Sequence, residues 1–103
     1  MPREGTSIDF KAVNEKALAS LLFLLYRWLP QGRLEGNEFV ALNPTRIDNK
    51  LGSFRINVET GKWADFSTGD RGGDVISFTA YIFRLSQYQA AINLSQMLGV
   101  QHD

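Results

Sequence analysis

The sequence predicts an α+β fold, a small antiparallel three-stranded sheet flanked by one long N-terminal helix and two C-terminal helices. Three observations predict it. Apolar residues recur at three- and four-residue spacing across residues 8–29. A period-two stretch at residues 53–58 runs into a glycine turn and a second short apolar run. Two helix starts follow, each opened by a capping residue, Asp74 and Ser86.

Residues 1–7 are polar and carry Pro2 and Gly5, so they predict a frayed start. In the helix over residues 8–29, Leu18, Leu21, Leu22, Leu25, Trp28 and Leu29 form the apolar stripe. Lys11, Asn14, Glu15 and Arg27 mark a polar face. Phe23, Leu24 and Tyr26 widen the stripe, which implies cover on two sides. Pro30 and Gly32 end the helix. The sheet is expected over residues 38–66. Glu38-Phe-Val-Ala-Leu42 is its first strand, Asn43-Pro44 breaks it, and residues 45–52 form a polar loop. Phe54, Ile56 and Val58 then point to one face, with Ser53, Arg55 and Asn57 on the other. Gly61 suits the turn, and Lys62-Trp-Ala-Asp-Phe66 returns as the partner strand. Residues 67–73 read as a glycine-rich loop. The two helices occupy residues 74–98: Asp74 caps the first, while Ser86 and Gln89 form a capping box on the second, with Leu85 as its staple. Gly99 fits the position just past the last turn. Residues 1–103 are expected to form a single domain.

Composition narrows the function. The formal net charge is zero, which counts against a strong, non-specific binder of nucleic acid but leaves room for a local patch. There is no cysteine, so disulfides, thiol nucleophiles and cysteine-held zinc or iron–sulfur sites are excluded. The single histidine is His102, in the expected tail, so no Ser–His–Asp set is available. The most apolar stretch, residues 17–29, is too short to span a bilayer and contains Arg27. It begins too far into the chain to resemble a secretory signal. A soluble cytoplasmic protein is the expectation.

From residue 52 onward the order of motifs resembles the zinc-binding domain of bacterial DNA primases. Ser53-Phe-Arg-Ile-Asn-Val-Glu-Thr-Gly-Lys-Trp63 is similar to that family's hairpin. Gly73-Asp-Val-Ile-Ser-Phe78 resembles its Gly-Asp-x-Ile-x-Phe helix start, and Leu85-Ser-Gln-Tyr-Gln-Ala-Ala-Ile92 the opening of its last helix. Arg27-Trp-Leu-Pro30, Ala41-Leu-Asn-Pro-Thr-Arg46 and Trp63-Ala-Asp-Phe-Ser-Thr-Gly-Asp-Arg-Gly-Gly-Asp74 resemble the N-terminal region of primase–helicase proteins of phages, plasmids and integrated elements. The resemblance implies a zinc-ribbon-like sheet, and a zinc held by two ligand pairs. Those pairs fall near Asn43-Pro44 with Arg46 or Ile47, and on Asp65 and Thr68. None of these is a zinc-ribbon ligand set, so no cofactor is expected and the long N-terminal helix is expected to supply the missing stability.

The candidate nucleic-acid contacts are Arg46, Lys50, Arg55, Lys62, Trp63 and Arg71, a basic surface with one aromatic on which a base could stack. Against that stands a plainer reading, in which Trp63 is core and Asp48, Glu59, Asp65 and Asp70 dilute the cations. Three further features each admit a sharper and a plainer reading. The loop at residues 67–73 could cradle phosphate, but it lacks a P-loop pattern, and Asp74 as a helix cap accounts for it. Asp65, Asp70 and Asp74 could hold a hard cation, but their spacing is not an EF-hand's. Tyr81, Phe83 and Tyr88 are either core or a docking surface. The resemblance implies an accessory, non-catalytic domain that helps a mobile-element primase or helicase engage single-stranded template DNA during replication. Its partners would be that DNA and a primase, helicase or polymerase domain. The alternative is a protein-interaction module of a replication complex that no longer binds DNA.

Overall fold

The structure, a computed structural model, describes residues 8–100. Their order is α1 (Phe10–Ala19), α2 (Leu21–Trp28), β1 (Arg33–Glu35), β2 (Glu38–Ala41), β3 (Phe54–Asn57), β4 (Trp63–Asp65), β5 (Arg71–Gly72), α3 (Val75–Phe83) and α4 (Gln87–Leu98). The class is α+β, but two expectations about it fail. The sheet has five antiparallel strands rather than three, in the sequential order β1-β2-β3-β4-β5. The expected long helix at residues 8–29 is two helices. The expected frayed start at residues 1–7, and His102, lie outside the described residues. Among the described residues no helix is long and apolar enough to cross a membrane.

The division of the N-terminal helix follows from what each half covers. Asp9 opens α1 by accepting the Ala12 N–H at 3.0 Å, and α1 packs on α3 and α4 through Val13 and Ala17. Ser20 then leaves helical geometry at φ −107° and ψ 13°. Beyond it, α2 sets Tyr26 edge-on to Phe39 of β2 and Trp28 edge-on to Phe83 of α3, both at 5.1 Å. The first half meets α3 and α4, and the second meets the sheet and the end of α3. Serine, whose side chain competes for backbone hydrogen bonds, is a weak place in the ladder between them.

The two added strands carry no hydrophobic alternation. All three residues of β1 are exposed, and β5 is two residues inside the glycine-rich loop. Their pairing is nonetheless regular. Arg33 faces Val40, Val40 faces Arg55, Arg55 faces Ala64 and Ala64 faces Arg71.

The inner face of the sheet carries Phe39, Ala41, Phe54, Ile56 and Trp63, all buried. Helix α3 lies on it, with Phe78 stacked on Phe54 at 5.6 Å and Tyr81 tilted against Trp63 at 4.6 Å. Gly72 permits this approach, because a Cβ there would overlap Trp63 Nε1 and Ser77 Oγ. At the start of α3, Asp74 accepts the Ser77 N–H at 2.8 Å, and Ser77 completes a capping box. Asn14 of α1, which the sequence placed on a polar face, accepts the Ile76 N–H at 3.0 Å and donates to Asp74 at 3.2 Å. It ties α1 to the first turn of α3. At α4 half of the expected capping box forms: Ser86 accepts the Gln89 N–H at 3.0 Å, but the Gln89 side chain donates to Asn93 at 2.8 Å and not back to the cap, while Gly99 ends the helix at φ 73° as expected.

Candidate nucleic-acid interface

Residues directly opposite each other in a sheet share a face. One outer row is therefore Arg33, Val40, Arg55, Ala64 and Arg71. Strands lie about 4.8 Å apart, so three arginines are spaced by about 10 Å across the sheet. The next outer row holds Glu35, Glu38 and Asn57. It is continued by Lys62, whose carbonyl accepts the Asn57 N–H at 2.8 Å. Phe66 follows on β4's continuation, with its N–H on the Ser53 carbonyl. Its ring is 72% exposed. A groove of about 410 Å³ lies on this face, walled by Arg55, Lys62, Ala64 and Phe66, with Glu38 and Asn57 among its polar groups.

Charge is unevenly paired over this face. Arg33 bonds Glu35 at 2.8 Å, and Arg55 lies 3.1 Å from Glu38 and 3.9 Å from Glu35. Arg55 also donates to the Gly52 carbonyl at 2.7 Å. The β1–β2 side is therefore neutralised. Lys62 and Arg71, on the β4–β5 side, have no ion pair among the described residues.

Of the six expected contacts, the structure brings Arg55, Lys62 and Arg71 onto one face, and Lys50 is exposed on the loop between β2 and β3. Trp63 and Arg46 are elsewhere. Trp63 is only 6% exposed, its Nε1–H donates to Ser77 Oγ at 2.9 Å, and Phe54, Phe78 and Tyr81 surround its ring. A ring so enclosed is core and offers no platform to a base. Phe66 is the exposed aromatic that sequence reasoning missed. The signal was present in the alternation: three residues apart on a strand, Trp63 and Phe66 must point to opposite faces.

Arg46 belongs to a clasp on the inner side. Asp65 is fully buried and gathers Asn43 Nδ2 at 2.7 Å, Arg46 Nε at 2.9 Å and the Ser67 N–H at 2.8 Å. Burial by itself raises the Asp65 carboxyl, but the hydrogen bonds from Arg46, Asn43 and Ser67 outweigh it and hold the group down at about 2. The same Asp65 contact raises Arg46 above its ordinary value. Tyr81 extends the clasp, accepting from Asn43 at 2.9 Å and donating to Asp70 at 2.7 Å. Asn43, Arg46 and Asp65, three of the four positions singled out with the zinc ligand pairs, thus converge. The fourth, Thr68, makes no side-chain contact with Asp65: its N–H donates to the Asp65 carbonyl at 3.3 Å, and its hydroxyl accepts the Asp70 N–H at 3.2 Å. Asp65, Asp70 and Asp74 are spent on separate duties in the clasp and the helix cap. Among the described residues no cluster of His, Cys, Asp or Glu could hold a metal ion.

The opposite surface has a different character. Within residues 75–98 the one charged residue is Arg84, and its guanidinium turns aside to the Thr45 carbonyl at 2.7 Å. Trp28, Phe83, Leu85, Leu94 and Met97 line an apolar groove of about 360 Å³ there. No family model and no curated protein matches this sequence.

Proposed function

We propose that this domain is an accessory nucleic-acid-binding module, which engages single-stranded template DNA through the outer face of its sheet on behalf of a mobile-element primase or helicase. The single observation that carries the reading is the outer face itself. It combines a register-aligned row of arginines, two cations without an ion pair among the described residues and one exposed phenyl ring. Cations that follow a phosphate backbone, beside a ring on which bases stack, are the means by which proteins hold single strands. The partner in replication rests on the primase resemblance alone. On this reading the domain is an accessory, and catalysis belongs to another domain or another chain.

Fluorescence anisotropy with a labelled oligonucleotide at rising salt tests the proposal. Binding is expected at low salt, weakening as salt rises. Lys62→Ala with Arg71→Ala should weaken it further and lower the salt slope by roughly one for each cation removed. Absence of binding at low salt, or binding indifferent to that double substitution, sinks the proposal.

A second reading is favoured by the uncharged helical surface. Charge depletion around aromatic and Met side chains is the composition of interface cores, and the Trp28–Phe83–Met97 groove fits the apolar side of a helicase or polymerase partner. Co-purification with that partner, lost in Phe83→Glu and accompanied by no oligonucleotide binding, would favour this reading over the first.

A further inference from the structure

The groove beside Phe66 contains more than a phosphate binder requires. Its polar groups include one carboxylate, Glu38, set among donors. One Glu38 oxygen accepts from Arg55 at 3.1 Å, and the other accepts nothing among the described residues. Asn57 spends its Oδ1 on the Glu59 and Thr60 N–H groups at 2.8 and 3.1 Å, and its Nδ2 has no acceptor among the described residues, which leaves a donor in the groove wall. The Lys62 ammonium is without an ion pair among the described residues, and the Thr60 hydroxyl keeps its proton after accepting the Lys62 N–H at 3.2 Å. The groove therefore offers one free acceptor and several donors beside an exposed phenyl face.

An anion-binding groove gains nothing from a carboxylate, which repels phosphate. A carboxylate becomes useful where the ligand presents an N–H. The ligand that combines a stackable ring, an amine and neighbouring acceptor atoms is a nucleobase with an exocyclic amine. We infer that, if the outer face binds single-stranded DNA as proposed above, this groove selects such a base. The base stacks on Phe66, its amine donates to Glu38, and its ring nitrogen or carbonyl accepts from Asn57 or Lys62. Thymine is disfavoured. Where cytosine carries its amine at C4, thymine carries a carbonyl oxygen, which would meet the Glu38 carboxylate with like polarity.

Oligo-dC and oligo-dT of equal length differ at C4 in this way, and also at N3 and in the C5 methyl, so the comparison is read together with a Glu38 variant, which isolates the contact to the amine. At neutral pH and low salt, anisotropy should show oligo-dC binding about tenfold more tightly than oligo-dT, the scale expected for one good polar base contact. Glu38→Gln presents an amide that serves either base, so it should raise affinity for oligo-dT and collapse the ratio. Glu38 is a half-exposed side chain, and the variant's thermal midpoint verifies that the fold is kept. Phe66→Ala should weaken both oligonucleotides. Equal binding of dC and dT by the native domain overturns the base selection while the single-strand reading stands. An unchanged ratio in Glu38→Gln overturns the role of Glu38. Failure to bind either oligonucleotide overturns both the selection and the reading on which it rests.

Discussion

Asp65 joins segments that are far apart in the chain, the loop after β2 and the turn after β4, by taking hydrogen bonds from Asn43, Arg46 and Ser67 at once. Removing it leaves Asn43 and the Ser67 N–H without this acceptor and takes from Arg46, which is part-exposed, its nearest carboxylate. Asp65→Ala should therefore cost about 3–5 kcal/mol, the range for breaking a buried charged pair from one side, and a urea or thermal melt would measure it. The same geometry gives a pH dependence with a definite sign. The carboxyl titrates at about 2 in the folded protein, below the ordinary value of about 3.9 for an unfolded Asp. Its stabilisation, roughly 2 kcal/mol, is complete above that ordinary value and is lost as pH falls through about 2. Melts at pH 7 and pH 3 should show a smaller acid-induced drop in Asp65→Asn than in the native protein, from a lower starting point. An equal drop in both would remove Asp65 as the cause.

The elements divide by how locally they are encoded. The β3–β4 hairpin and the caps of α3 and α4 were legible because short-range chemistry specifies them: Gly61 sits at φ 81°, and Ser86 meets Gln89 three residues on. β1, β5 and the bend at Ser20 were not legible, since each exists only through what it packs or pairs with. The apolar period passes through Ser20 uninterrupted, and β1 has no buried side to betray it. The candidate site was legible in part. Arg55, Lys62 and Arg71 were found by charge, whereas the exchange of Trp63 for Phe66 needed the face of the strand as well as its composition. Two substitutions test the elements. Leu25, fully buried on α2, should cost about 2–5 kcal/mol as Leu25→Ala; an unchanged melting temperature would mean that α2 adds nothing to the core. Gly72→Ala should also destabilise, because its methyl displaces Trp63 or Ser77 from their hydrogen bond. Trp63 fluorescence would report that shift directly.

At the scale of the whole molecule, the question is what holds so short a set of strands together. A small ribbon whose knuckles are fixed by zinc draws much of its folding free energy from the metal. This chain has no cysteine and one histidine, and the loop after β2 is tied to the turn after β4 by the Asp65 clasp. Its core is continuous through both layers, from Val13, Leu21 and Leu25 of the first two helices to Phe39, Phe54 and Ile56 of the sheet and Phe78 and Leu94 of the last two. A continuous core makes sheet and helices one cooperative unit. Thermal unfolding followed by far-UV circular dichroism, which reads mainly the helices, should thus coincide with unfolding followed by tryptophan fluorescence. The two tryptophans report on different places, Trp28 on α2 and Trp63 between the sheet and α3. A chelator should leave the midpoint where it is, and added zinc should not raise it. Two separated transitions would mean that the sheet and helices are held independently. A midpoint lowered by chelator would mean that the clasp is not what closes the sheet, and would send the search for its stability back to a bound ion.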